Sequence, residues 1–301
     1  MSAVANAQVV PDGTTSTTVN TNGSNYTINR GNRAGSNLFH SFQDFSVPDG
    51  GSAVFNNADV IRNIFSRVTG GNISEINGLL GARGSANLFL INPAGIIFGE
   101  GASLNLGGSF LGSTANSILF PDGIEFSATD TQTKPLLTIS APIGLDFINN
   151  PGNIINRSIF DKNTNFIDLV GLRVAAEETL ALIGGNVSIE GGFLSSRGRI
   201  ELGSVGANST ASITEIEQGF DLSYKDVANF RDINLNFAAY VYSFGENSGS
   251  IQAIGRNISL IEGSRIGNEF GGQAANLEVI ASESFELDGT SADIGFADLS
   301  T

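Results

Sequence analysis

The sequence predicts an all-β fold wound as a parallel β-helix, and three observations predict it. From about residue 50 onward, short apolar segments of period two alternate with Gly, Asn and Ser, and few windows show helical spacing. Glycine supplies 38 of 301 residues, about twice the usual share, which disfavours long helices. The last third of the chain also echoes itself. Gly184-Gly185-Asn186-Val187-Ser188-Ile189 returns as Gly255-Arg256-Asn257-Ile258-Ser259-Leu260, and more loosely as Ser282-Glu283-Ser284-Phe285-Glu286-Leu287. The steps are 27 residues from Leu260 to Leu287, 28 from Ile266 to Ile294 and 20 from Leu180 to Ile200. Units of that length with several short strands suit the coils of a solenoid, each burying its apolar edge on its neighbours. A leucine-rich repeat needs a sustained L-x-x-L-x-L-x-x-N register that is missing here, and a β-sandwich predicts hairpin spacing without echoing units.

Along the chain, Ala5-Asn6-Ala7 before Gln8 has the small-x-small form of a signal-peptidase site, so residues 1–7 read as a signal-peptide remnant. Gln8 to about Asn56 is expected to cap the first coil, whose strand edges need cover. Asn57 to Val68 is the best helix candidate, with Val60, Ile61, Ile64, Phe65 and Val68 on one face, and its β-branched content suits a strand pair equally well. Residues 130–175, with TDTQTK, the Asn150-Pro151 turn and DKNTN, read as an extra-helical excursion. There Ile139, Ile143, Leu145, Phe147, Ile154 and Ile155 need burial in a small added sheet. Residues 241–301 continue the coil pattern, and the strand-like end at Ser282 to Thr301 leads to the expectation that further coils follow.

Composition limits the chemistry. With 41% hydrophobic and 15% charged residues the chain can bury a sizeable core. Its net charge of −15, without a Lys/Arg cluster, disfavours nucleic acid and anionic membrane surfaces. Apolar runs such as Leu88 to Ile91 fall far short of the ~18 residues of a membrane span, so no membrane insertion is expected. Without cysteine there is no disulfide, thiolate zinc site or thiol nucleophile. Glu177-Glu178 is the only adjacent acid pair weighed as catalytic, Glu215 and Glu217 lie in a Ser/Thr-rich loop, and no calcium loop or GxxxxGK[ST] motif occurs. The single histidine, His40, sits in an apolar stretch without a G-x-S-x-G partner and reads as a packed cap residue. The 21 Phe are expected to pack inside the helix as ladders. The expectation is a monomer with no catalytic residues, no cofactor and no metal.

The densest motif series spans residues 69–114. Pro93 presets the second position of a turn, Asn92 can cap backbone N–H groups two residues on, and Gly95 accepts positive φ. This turn aligns Leu88–Ile91 with Ile96–Phe98 and serves as a folding corner, a recognition element or both. The ordered series Arg67-Val68-Thr69-Gly70-Gly71, Ile76-x-Gly78, Phe89-Leu90-Ile91-Asn92-Pro93-Ala94-Gly95-Ile96-Ile97-Phe98-Gly99 and Gly107-Gly108 resembles the two-partner secretion domain. That domain, also called the haemagglutination activity domain, stands at the N-terminus of filamentous haemagglutinin-like exoproteins. Leu38-Phe39-His40-Ser41-Phe42, Phe45 to Asn57 and Pro142-Ile143-Gly144-Leu145 extend the resemblance, particularly to cyanobacterial members, over residues 8–260.

The resemblance implies an all-β, right-handed parallel β-helix (solenoid) with an N-terminal cap and extra-helical β elements. It further implies a secretion domain over residues 8–240, export through the periplasm to the cell surface or extracellular space, and a cognate outer-membrane β-barrel transporter with POTRA domains as partner. The family's Asn-Pro-Asn-Gly turn corresponds to Asn92, Pro93, Ala94 and Gly95, where Ala94 departs from the pattern, and a second Asn-Pro turn corresponds to Asn150 and Pro151. An adhesin module contacting cell-surface or matrix glycans and a β-helical polysaccharide lyase or hydrolase are the alternative readings.

Overall fold

A computed structural model describes residues 8–121, 123–130, 137–159, 171–217, 219–245, 249–270, 276–291, 295–296 and 298–300. Parallel strands stack into three walls of a β-helix. The first face runs Asn37–Phe45 (coil 1), Asn63–Val68 (coil 2), Asn87–Ile91 (coil 3), Phe110–Ser113 (coil 4), Leu180–Gly184 (coil 5), Ile200–Ser204 (coil 6), and the leading halves of Ile251–Ile261 (coil 7) and Leu277–Asp288 (coil 8). The second face runs Ser74–Ile76, Ile96–Phe98, Ile154–Asn156, Val187–Glu190, Ile233–Asn236 and the trailing halves of the two long strands. A third face stacks Asn25–Asn29, Ser52–Phe55, Leu79–Ala82 and Ser103–Asn105, then resumes with Leu172–Arg173, Phe193–Ser196, Tyr240–Gly245, Arg265–Phe270 and Asp298–Ser300.

The register puts like on like. Leu38, Ile64, Leu88, Phe110, Leu180, Ile200 and Ile251 are aligned across the first face and point into the buried core of the helix. The repeat steps read from the sequence coincide with pairing: Leu180 lies against Ile200, Leu182 against Leu202, and Leu260 against Leu287. Ile266 pairs with Leu299, and Ile294 lies outside the described residues. Polar corners are tied by asparagines, since Asn63 Nδ2 donates to Asn37 Oδ1 at 3.1 Å and Asn87 Nδ2 to Asn63 Oδ1 at 2.9 Å. Such ladders satisfy side-chain amides that would otherwise be costly to bury.

The first coil is capped by antiparallel pairing. Val9–Pro11 and Asn32–Ala34 both pair with Asn37–Phe45, and Thr18–Asn22 forms a hairpin with Asn25–Asn29. His40 is buried here, its Nδ1 is 3.0 Å from Thr17 Oγ1, and burial pushes its pKa down to about 3, which keeps the imidazole neutral. Asp12 accepts hydrogen bonds from Ser41 Oγ at 2.6 Å and Thr69 Oγ1 at 2.9 Å. Burial alone would raise its carboxyl, but the bonds from Ser41, Thr14 and Thr69 outweigh that and hold it low. The buried Arg67 donates to Ser41 Oγ at 2.8 Å, to Thr14 Oγ1 at 3.0 Å and to the carbonyl of Ser127, and lies over the Phe126 ring. It thus pins the N-terminal loop and coil 1 to an added sheet.

That added sheet differs from the expectation in extent. It has five antiparallel strands, Glu125–Ser127, Ser117–Leu119, Gly144–Phe147, Ser209–Glu215 and Phe220–Ser223 in spatial order, contributed by two excursions at the same corner of coils 4 and 6. Glu215 therefore ends a strand. Ile154 and Ile155 belong to the second face of the helix, Leu145 and Phe147 are buried in the added sheet, and Ile139 and Ile143 remain exposed. Most of TDTQTK and all of DKNTN lie outside the described residues, as does Ala5-Asn6-Ala7.

The helix candidate is a strand: residues 59–60 make a turn and Asn63–Val68 pairs in parallel with coils 1 and 3. All six of its residues, the polar Asn63, Ser66 and Arg67 included, are buried because both sides of the strand are covered, as in a doubly buried parallel strand. The phenylalanine ladder is also displaced. Phe39, Phe65 and Phe89 stack at 5.1 and 4.9 Å on the outer side of the first face, beneath the added sheet, where Phe120, Phe126 and Phe220 meet them. Phe42, Phe45, Phe55, Phe98 and Phe110 pack inside the helix.

Candidate functional site

Coil 3 turns from its first to its second face through Asn92-Pro93-Ala94-Gly95. Asn92 extends the ladder by donating its N–H to Ser113 O at 2.9 Å, and its buried side chain does the rest. Nδ2 reaches back to Asn72 O and Ser74 Oγ, both at 2.9 Å, while Oδ1 accepts the Ala94 N–H at 3.0 Å. This is an Asx turn, in which an amide oxygen caps the backbone two residues on. The Gly95 N–H closes the loop on Asn92 O at 3.0 Å. Gly95 has φ +133°, and a side chain there would meet Asn153 O at 3.1 Å and Ile73 at 3.5 Å.

The second predicted turn, Asn150-Pro151-Gly152-Asn153, occupies the same corner one coil further on. After the coil 4 excursion the chain re-enters through it and stacks directly on the first turn: Gly152 N–H donates to Pro93 O at 2.9 Å, and Ile96 N–H to Asn153 O at 3.1 Å. The approach is so close that a Cβ on Gly152 would sit 2.3 Å from Ala94 O, so only glycine fits without a backbone shift. The structure therefore brings all six predicted residues, Asn92, Pro93, Ala94, Gly95, Asn150 and Pro151, into one contiguous patch. Asn92 and Gly95 are buried, Pro93, Ala94 and Pro151 are half-buried, and Asn150 is exposed, its Oδ1 taking a 3.0 Å bond from Arg231 Nη2.

The stack continues through residues that sequence reasoning did not assign. Gly185 N–H donates to Gly152 O at 3.0 Å and Asn186 N–H to Asn153 Oδ1 at 3.2 Å. Asp232 N–H donates to Asn186 Oδ1 at 3.2 Å, and Asn257 Nδ2 to Asp232 Oδ1 at 2.9 Å. Arg256 grips the Asp232 carboxylate through Nε and Nη2, at 3.0 and 2.8 Å. The Arg256 hydrogen bond is the first cause holding the Asp232 pKa down, with Asn257 adding to it. The signal available was the Asn of the echoed units Gly184-Gly185-Asn186 and Gly255-Arg256-Asn257, which marks the corner in two coils, with Asp232 at the same place in the coil between them.

Chemically the patch offers turn amides, carbonyls and two prolines. Among the described residues no three His, Asp or Glu converge in a way that could hold a metal ion. Ser109 Oγ donates to Glu178 at 2.6 Å, placing that acid in a structural bond at the corner of coil 4. Arg231 on Asn150 and Arg256 on Asp232 place charged side chains along the same corner.

Comparison with known proteins places these features in context. The family model described as the TPS secretion domain matches residues 7–253. A heme/hemopexin-binding protein of Haemophilus influenzae is 33% identical over 117 residues, 35% of this chain, and the match spans 12% of that protein's length. Among solved structures, the HMW1 secretion domain from Haemophilus influenzae aligns with 94% of this chain and 73% of its own at 18% identity and a TM-score of 0.49. A filamentous hemagglutinin secretion domain aligns with 97% of this chain and 99% of its own at 16% identity and a TM-score of 0.45.

Proposed function

This chain belongs to the TPS secretion domain family, and from that premise we propose that it is the N-terminal secretion module of a larger exoprotein. The module directs export across the outer membrane to the cell surface or the extracellular space. Its partner is a cognate outer-membrane β-barrel transporter whose periplasmic POTRA domains accept the emerging chain, and it acts as a monomer without catalysis of its own. The match of the family model over residues 7–253 is the observation that carries this reading. Residues 8–240 form the recognised module, and residues 241–301 are coils leading into the passenger.

Physical chemistry supports the route. An unfolded segment can add as a strand to an unpaired edge on the transporter. Once outside, the capped first coil templates the next, and nearest-neighbour stacking favours outward movement. The stacked Asn92 and Asn150 turns are the recognition element in this reading, because Pro93, Ala94, Asn150 and Pro151 reach the surface at this corner while the adjoining first face is covered.

The test is secretion of the chain by its transporter. Deleting residues 8–110 abolishes export if this is a secretion module, whereas a simple adhesin is still exported and loses only attachment. Asn92→Ala and Gly95→Val reduce export, and comparing their melting temperatures with binding to the purified periplasmic domains separates folding from recognition. Export of both variants at the wild-type rate excludes the turns as the site.

A further inference from the structure

The N-terminal strap, residues 8–17, has little backbone pairing of its own. Val9–Pro11 pairs with Asn37–Phe45 over three residues, and its register breaks before Pro11, which has no N–H to give. After that strand, Asp12 N–H reaches Ser41 O at a long 3.4 Å, and Ser16 adds exposed bonds to Gly31 and Asn32. What fastens the strap is a closed ring of side chains. Asp12 Oδ1 accepts from Thr14 Oγ1 at 2.8 Å and Oδ2 from Ser41 Oγ at 2.6 Å, while Arg67 donates to the same two hydroxyls, from Nη2 to Thr14 at 3.0 Å and from Nε to Ser41 at 2.8 Å. Each hydroxyl thus donates to the carboxylate and accepts from the guanidinium, an arrangement that satisfies all four groups.

The ring has a lid that comes from far along the chain. Arg67 is buried and lies in register between Ser41 of coil 1 and Ile91 of coil 3, on the outward side of the first face. Its remaining nitrogen, Nη1, donates to the carbonyl of Ser127, and the Phe126 ring covers its Cζ at 4.8 Å. Thr14 and Ser127 stand 53 and 60 residues from Arg67 in sequence, so this one side chain joins the strap to the edge strand of the added sheet. The same excursion fastens coil 1 a second time, where Asn37 Nδ2 donates to Thr138 O at 3.0 Å and to Ser140 O at 2.8 Å. Under the lid the bonds of the ring are shielded from water and strengthened. With the lid lifted, water competes for each of them, and with the ring undone the lid rests on a buried guanidinium without its carboxylate. Each half therefore favours the other.

We propose that the strap is a latch that closes only when the coil 4 excursion docks, so that residues 8–17 and the outer strands of the added sheet, Glu125–Ser127 and Ser117–Leu119, open and close as one unit. The first three coils can stack before that closure, because their strands pair with one another without the strap or the added sheet. The coupling belongs to the folded chain and is tested apart from the secretion reading. Joined to that reading, it delays closure of the cap until residues 117–147 have emerged from the transporter.

Hydrogen exchange of the purified chain, followed by mass spectrometry, tests it. The amides of residues 9–14 and 125–127 are expected to share one opening equilibrium. Phe126→Leu, a change in the added sheet alone, should speed exchange of residues 9–14 by about tenfold. Thr14→Val, a change in the strap alone, should speed exchange of Glu125–Ser127 severalfold. Ile233–Asn236, on the second face of coil 6, serves as the reference and should keep its rate in both variants. Arg67→Met should free the strap, and adding Phe126→Leu to it should then leave the strap's exchange where it is. An unchanged strap in Phe126→Leu, an unchanged Glu125–Ser127 in Thr14→Val, or an equal rise at Ile233–Asn236 each overturns the proposal.

Discussion

On the first face the outward positions Phe39, Phe65, Phe89, Leu111 and Ala181 stand in register and are buried. One corner later, the second face places Glu75, Ile97, Ile155, Ser188, Asn234 and Ser259 at the equivalent outward positions, exposed or half-buried. The backbones are alike, so the contrast comes from what covers them. The five-stranded sheet lies over the first face and turns its strands into a second core, while the second face meets solvent and keeps the alternation of a one-sided strand. A β-helix wall can thus be a doubly buried core layer or a solvent-facing surface with no change in coil geometry.

Phe65→Ala should break this contrast most strongly, because its ring contacts Phe39, Phe89 and Phe120 under the added sheet. A loss of about 3–5 kcal/mol is expected in denaturant unfolding, against under about 1 kcal/mol for Ile97→Ser on the open face. Equal losses would mean that the added sheet does not protect the first face in solution.

Gly152→Ala tests the corner between the faces. Its Cβ would press on the Ala94 carbonyl, so a loss of about 1–3 kcal/mol is expected from the forced backbone shift. Asn150→Ala, whose side chain is exposed and meets only Arg231 among the bonds described, should cost under about 1 kcal/mol. Thermal melts of the two variants side by side provide the comparison.

The covered face also buries a carboxyl group. Glu201 has no exposed surface, and burial pushes its carboxyl from an ordinary 4.5 up to about 8, an effect that Arg199 at 3.1 Å only partly offsets. Arg199 also reaches Asp221 of the added sheet at 2.8 Å, Gln252 lies alongside Glu201 in register, and Glu278 follows one coil on. Tyr224, pushed well above its usual range by burial and then by Glu201, closes the other side. Because the folded pKa is raised, the stability contribution is complete below the unfolded value near 4.5 and is lost as pH rises through about 8. The wild type should therefore unfold more easily at pH 9 than at pH 5, and Glu201→Gln should flatten that slope. An unchanged slope would assign the pH dependence to another group.

The smallest effect belongs to Ser259→Ala, at an outward second-face position where the hydroxyl bonds Asn234 at 2.9 Å. A change within about 0.5 kcal/mol is expected, and a larger one would mean that the open face carries a structural ladder as well.

Much of the fold was legible because a solenoid writes its contacts into local repeats. Leu180 and Ile200, or Leu260 and Leu287, touch because they occupy the same place in consecutive coils, and the chain repeats the residue type there. The Asn92 turn was legible from its own four residues, since an Asx cap and a glycine need no distant partner. Asn37, Asn63 and Asn87, each opening an Asn-Leu-Phe or Asn-Ile-Phe unit, were equally periodic but went unread because a single amide resembles any loop residue.

The sequence by itself determined the strand periodicity, the repeat register and the turn that starts the second face, all set by neighbours within or one coil beyond each segment. Tertiary structure alone decided which wall is covered. The added sheet pairs Gly144–Phe147 with Ser209–Glu215, antiparallel segments from two excursions with no echo of each other, and their meeting depends on closure of long loops rather than on local propensity. The same closure places Asn150 on Asn92 and seals Glu201 from water. The segment Asn63–Val68 was ambiguous for this reason: all six residues are buried, burial on both sides erases the alternation that distinguishes a strand from a helix, and only the covering sheet supplies the second side.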